Sequence, residues 1–149
     1  MERTREIITR LKKSYAMELE SVQNFLANSV DLDGPAAEEL KKILETAVAR
    51  ELKHARRLAK RIKVLDGRVP GSLELPRDQN FLQPPMDQRD FAAVLRGALT
   101  ATDAAIAHYQ ATVQMTECLD YVTQDLLIDL LAEEQEQRKL FHQLSLRPS

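Results

Sequence analysis

Apolar residues spaced three and four apart recur along this chain and predict four long helices. The first spans about Thr4 to Asp31, with Ile8, Leu11, Tyr15, Val22 and Phe25 along one face. Asp31-Leu32-Asp33-Gly34-Pro35 interrupts it. Pro35 suits the opening turn of a second helix, and Glu38 and Glu39 match the positive end of its dipole. This helix carries Leu40, Leu44, Ala47, Leu58, Ile62 and Leu65, runs to about Asp66 and stops at Gly67. From Gly67 to Met86 the text changes: Val69-Pro70-Gly71, Leu75-Pro76 and Pro84-Pro85 preclude continuous helix. A third helix is expected from near Asp87 as N-cap, with Asp90 three residues on. Its face is marked by Phe91, Val94, Ala98, Ala101, Ala105, Thr112 and Met115. After a short joint at residues 117–120, a fourth helix turns Leu127, Leu130, Phe141 and Leu144 inward.

The connections say how these helices are arranged. A link of about twenty residues is long for a compact domain, where a few are usual. It suits an extended crossover running the length of a bundle about 40 Å tall. Short link, long link, short link describes two antiparallel pairs joined by one crossover between helices 2 and 3. The expected fold class is therefore all-α, the ferritin-like variant of the four-helix bundle, as a single domain over residues 1–149.

Composition agrees with helices: four glycines, 5% aromatics, no Trp and 30% charged residues. A net charge of −2 and a pI near 5.9 create no demand for nucleic acid or an anionic membrane. One cysteine, Cys118, cannot form an internal disulfide, which fits a reducing compartment. The charged start Met1-Glu2-Arg3-Thr4-Arg5-Glu6 lacks the apolar stretch of a signal peptide, and no apolar run approaches the ~20 residues that span a bilayer. The expectation is a soluble cytoplasmic protein.

The helical stripes contain residues that do not belong in an apolar core. Between Ala47 and Leu58 the second stripe lands on Glu51 and His54, a Glu-x-x-His pair one turn apart. Glu18 occupies the first stripe between Tyr15 and Val22, and Glu134 the fourth, between Leu130 or Leu131 and Phe141. Buried charges need partners, and a metal ion uses three carboxylates and an imidazole at once. The chain also repeats itself weakly. Glu18 precedes Glu51 by 33 positions, and the same offset before Glu134 falls on Ala101, while Gln137 stands where a second Glu-x-x-His would place its histidine.

On Glu18-Leu19, Glu51-Leu52-Lys53-His54-Ala55, Asp120-Tyr121-Val122 and Asp125-Leu126-Leu127-Ile128, the chain resembles bacterioferritin, within the ferritin-like di-iron carboxylate superfamily. The resemblance covers nearly the whole length. It implies one non-haem iron with Glu18 and His54 as terminal ligands and Glu51 and Glu134 as bridges; Mn or Zn would also suit these donors. A second iron would draw on positions 101 and 137, where Ala101 offers no donor and Gln137 only a neutral carbonyl oxygen. Haem is not expected, because Leu52 stands where the family has its ligand methionine. Typical bacterioferritins continue into a fifth helix, whereas this chain ends at Leu146-Arg147-Pro148-Ser149. No fifth helix is expected, and the homo-oligomer implied is a dimer or, in competition with it, a 24-subunit cage.

Several other residues have plainer readings. His108 lies seven residues beyond Ala101, about 10 Å along the axis, and reads as a core histidine or packing contact. His142 reads as an exposed cation near a helix end. Arg50, Lys53, Arg56, Arg57, Lys60, Arg61 and Lys63 read as a solvated outer face rather than a nucleic-acid surface. Tyr15 and Tyr109 read as core tyrosines, and Met17, Met86 and Met115 as core or loop fillers. Cys118 has no metal-ligand spacing around it.

Three functions fit the sequence. The leading one is an iron-binding protein in iron storage or homeostasis, with one intact metal site, weak or absent ferroxidase activity, and a role beside a catalytically complete sister subunit. The alternatives are an active di-iron ferroxidase, its second site completed by water or a shifted side chain, and a metal-free helical structural dimer.

Overall fold

The computed structural model describes residues 2–147; Met1 at one terminus and Pro148-Ser149 at the other, both named above, lie outside the described residues. Four helices form the body: α1 (Glu2–Asp31), α2 (Glu38–Val64), α3 (Phe91–Thr116) and α4 (Tyr121–Ser145). α1 packs chiefly against α2 and α3 chiefly against α4, as two pairs. The crossover between α2 and α3 contains two short 3-10 turns, Ser72–Glu74 and Asn80–Leu82. The all-α four-helix arrangement expected from the sequence is present.

The buried stripes follow the predicted spacing with one rotation. On α1 the buried positions include Ile7, Leu11, Ser14, Glu18, Ser21, Asn24, Phe25 and Asn28, while Ile8, Tyr15 and Val22 are half-buried. The cause is the crossover, which lies along α1 and turns small polar positions inward. Asn24 Nδ2 donates to Gln79 Oε1 at 3.0 Å, and Gln79 Nε2 donates to Ser21 Oγ at 2.8 Å. Asn28 Nδ2 donates to the Leu82 carbonyl at 2.8 Å, and Glu20 accepts from the backbone N–H groups of Asp78 and Gln79. These bonds supply partners to backbone and amide groups that a buried connection would otherwise leave unsatisfied.

The N-cap of α3 corrects the expectation. The cap is Asp90, whose side chain accepts from Ala93 N at 3.1 Å, and not Asp87. Asp87 instead caps its own turn, accepting from Arg89 N at 2.9 Å, and the Gln88 carbonyl accepts from Asp33 N at 2.7 Å. Residues 87–90 thus dock on the α1–α2 joint, and the helix can begin only after them.

On α3, Gly97 marks a close approach. A Cβ there would lie 2.4 Å from the Phe81 carbonyl oxygen and 3.2 Å from Leu82 Cδ1. An exposed helical Gly→Ala change stabilises by up to about 1 kcal/mol. Here Gly97→Ala is expected to destabilise by about 1–3 kcal/mol, because backbone atoms must move. Denaturant unfolding of the variant measures the sign, and a gain in stability would refute the contact.

The apolar interior divides into two halves. One gathers Phe25, Leu40, Leu44, Leu82, Val94, Ala98 and Phe141; the other gathers Ile7, Leu11, Leu58, Ile62, Leu127 and Leu130. Between the halves the stripes of α1, α2 and α4 carry polar side chains, and the candidate site lies in that layer.

Candidate metal centre

Glu18 from α1, Glu51 and His54 from α2, and Glu134 from α4 meet in this layer, each at most 2% exposed. One donor atom from each lies within 4.8 Å of all the others. The reason is periodicity: each residue continues an apolar stripe, so the packing that buries leucines above and below carries these side chains to the bundle axis.

The imidazole organises the layer. His54 Nδ1 lies 3.0 Å from Glu18 Oε2 and 3.4 Å from Glu134 Oε1. Its other nitrogen, Nε2, is 3.5 Å from Glu133 Oε1 and makes no hydrogen bond at this geometry. Glu133 is in turn held by Arg50 and Arg57, at 3.7 Å and 3.9 Å. A carboxylate behind a histidine fixes its ring and leaves the opposite nitrogen to face the interior donors. Glu134 Oε1 is also buried without a hydrogen-bond partner among the described residues.

Glu18 and Glu51, crowded with Glu134 into so small a volume, resist ionisation. Burial first, and then the charge of Glu134, pushes Glu18 well above the usual carboxylate range. Burial, followed by the charges of Glu18 and Glu134, does the same to Glu51. Burial alone would depress His54, but the close carboxylate of Glu134 and the charges of Glu51 and Glu133 outweigh it and raise the imidazole above its ordinary value. The layer therefore holds protons in the place of a cation. An orphaned buried carboxylate oxygen, a carboxylate-and-imidazole donor set and retained protons together fit a divalent metal ion.

The other predicted positions fall differently. Gln137 reaches the layer, 2% exposed, and its Nε2 donates to Glu51 Oε1 at 3.1 Å. Ala101 is buried at the edge of the first apolar half and brings no donor. Leu52 is 45% exposed on α2. His108 is half-buried, with Nε2 3.0 Å from the Arg10 carbonyl, and burial lowers its pKa. His142 is exposed in the last turn of α4.

The basic stripe of α2 needs correction, because half-buried Arg50, Arg57 and Arg61 are not simply solvated. Arg57 donates to Asp129 at 2.7 Å, and Arg61 to Asp120 at 3.0 Å and Thr123 Oγ1 at 2.8 Å, while Arg50 reaches the Glu133 carbonyl. Their long stems cover the α2–α4 seam while their heads bond across it. Lys53, Arg56, Lys60 and Lys63 do face solvent.

Two participants escaped sequence reasoning. Glu133 was hidden beside the more conspicuous Glu134; the usable signal was that a buried histidine has two nitrogens to satisfy. Tyr109 reads from its spacing as a packing residue, yet its fully buried hydroxyl has no hydrogen-bond partner among the described residues. Burial, and then the charges of Glu18, Glu134 and Glu51, raises its pKa well above the usual phenol range.

A four-helix bundle with one long crossover and a carboxylate–histidine layer at its centre defines the ferritin-like class. The ferritin-like domain profile matches residues 8–146, and the chain belongs to that family. Solved structures that share the fold include two from bacteria. One is a ferritin-like di-iron-carboxylate protein from Bacillus anthracis, with 21% identity, 97% of this chain and 98% of that chain covered, and a TM-score of 0.84. The other is a dodecameric thioferritin, the bacterioferritin-related protein of Bacteroides fragilis, with 22% identity, 95% and 84% covered, and a TM-score of 0.82. Among curated proteins, none matches the chain. No helix among the described residues is long and apolar enough to cross a membrane.

Proposed function

We propose that this protein binds a single divalent metal ion, iron in the first instance, at Glu18, Glu51, His54 and Glu134. It serves iron storage or homeostasis with weak or absent ferroxidase activity. The observation that carries the reading is the convergence of four buried donors from three helices, two of whose polar atoms lack partners. A bound Fe(II) supplies an open coordination position and one electron, whereas reducing dioxygen by two electrons at once takes a pair of metals. The one-ion reading draws on Gln137, which turns its amide N–H toward Glu51, and on Ala101, which has no donor to offer.

The protein acts as a homo-oligomer, a dimer or a larger shell, and as a partner to a catalytically complete sister subunit. A dodecameric structural neighbour and the exposed apolar side chains of Leu26, Val30 and Leu52 on α1 and α2 support assembly. Mass in solution tests this part separately.

Metal analysis and calorimetric titration with Fe(II) under nitrogen, Mn(II), Co(II) and Zn(II) test the centre. About one ion per chain is expected. The double variant Ala101→Glu/Gln137→His, which writes the first half's ligand types into the second half, is expected to bind about two. Two ions per wild-type chain would favour a working di-iron ferroxidase, and none would leave a metal-free helical assembly.

A further inference from the structure

Among the described residues Glu51 accepts one hydrogen bond from a nitrogen, and it comes from the neighbouring helix: Gln137 Nε2 on α4 lies 3.1 Å from Glu51 Oε1. Both side chains are 2% exposed, so the bond is made out of reach of water. Gln137 follows Glu134 by three residues, and the turn of α4 that delivers one proposed ligand to the layer also delivers this amide. Chemistry fixes the sense of the amide, because its carbonyl oxygen turned toward a carboxylate would set two acceptors face to face. On α3, Ala101 brings no donor, and the buried hydroxyls of Thr102 and Thr112 bond back to carbonyls of their own helix. If Gln137 were only a polar residue tolerated in the core, an apolar side chain of similar size would leave the centre unchanged. If the amide holds Glu51 in place, it would not.

We propose that Gln137 is a positioning residue of the metal centre, its Nε2–H holding Glu51 Oε1 and fixing the direction in which that carboxylate meets the ion. The proposal rests on the one-ion reading above. It gives position 137 a task of its own, as an outer support to one ion. A carboxylate gripped at one oxygen cannot swing away from its ion, and losing such a support commonly lowers metal affinity about 10–100-fold.

The test is Gln137→Leu, titrated with Co(II) beside the wild type, reading both affinity and the visible Co(II) spectrum. Kd is expected to rise about 10–100-fold, with shifted ligand-field bands. An identical Kd and spectrum in the variant would overturn the Gln137 role and leave the metal reading intact. A wild type that binds no Co(II), Mn(II) or Zn(II) removes both ideas. Wild-type protein loaded with Zn(II) supplies a second readout, which decides the matter alone if the variant fails to fold. An NMR cross-peak from a Gln137 side-chain N–H proton to the Glu51 γ protons is expected, and its absence refutes the hydrogen bond. A cross-peak present without metal and lost on Zn(II) loading would also overturn the support, by showing that the amide lets go of Glu51 when the ion binds.

Discussion

Replacing Glu51 with Gln should abolish tight metal binding and, at neutral pH, make the metal-free protein more stable than the wild type. Both effects come from the same carboxyl. Glu51 is 2% exposed and sits among two other acids, so the folded protein keeps a proton on it that the unfolded chain releases. Each pH unit over which that proton is retained costs about 1.4 kcal/mol. Gln is nearly the same shape, carries no charge and still offers a carbonyl oxygen to Gln137 Nε2, which now bonds Glu51 Oε1 at 3.1 Å. A gain of about 1–3 kcal/mol near pH 7.5 is expected from urea unfolding, shrinking toward zero near pH 4.5. The same variant loses an anionic donor from the centre of the set, so its Co(II) affinity should fall by more than about 100-fold, beyond what loss of an outer support does. Tight metal binding by Glu51→Gln would remove Glu51 from the site. A variant less stable than the wild type at neutral pH would mean that its charge is already compensated.

The second large effect is a reversal of pH dependence on metal addition. Glu18 and Glu51 have folded pKa values above their ordinary 4.5. They contribute no penalty below that pH and an increasing one as pH rises toward the folded values. His54 has a folded value above its ordinary 6.5, so its contribution is present below 6.5 and lost as pH rises through the folded value. All three point the same way, and stability of the metal-free protein should fall between about pH 5 and pH 8. Metal must displace these protons, so its affinity rises over the same interval. At a free concentration of 100 times Kd, the ion adds about 2.7 kcal/mol. Thermal melts with Zn(II) and with chelator should therefore diverge as pH increases. Parallel curves would show that the ion does not compete with protons in this layer.

How much of this could be read from the chain depends on how local each cause is. The four converging donors were legible because helical spacing alone fixes which positions share a stripe. Glu18, Glu51, His54 and Glu134 occupy leucine-type positions whatever the loops do. The start of α3 was not, because Asp87 and Asp90 are equally good caps, and the backbone bond from Asp33 to Gln88 decides between them. Nor was the rotation of the α1 stripe, which is set by Gln79 and Leu82, more than fifty residues further on. The arginines of α2 were misread because charge pattern along one helix says nothing of the acids on the next. Tyr109 shows the same limit: its spacing marks it as buried, but only the packed bundle shows its hydroxyl without a partner among the described residues.

The separation of the apolar interior into two blocks, with the acids confined to one tier between them, has a consequence for how such a protein changes over generations. Each block has its own leucines and aromatics, Phe25 and Phe141 meeting at 5.9 Å in one of them. Architecture and chemistry are thus written in different letters of the same helices. A lineage could change the donors of that tier one at a time and still inherit the scaffold whole.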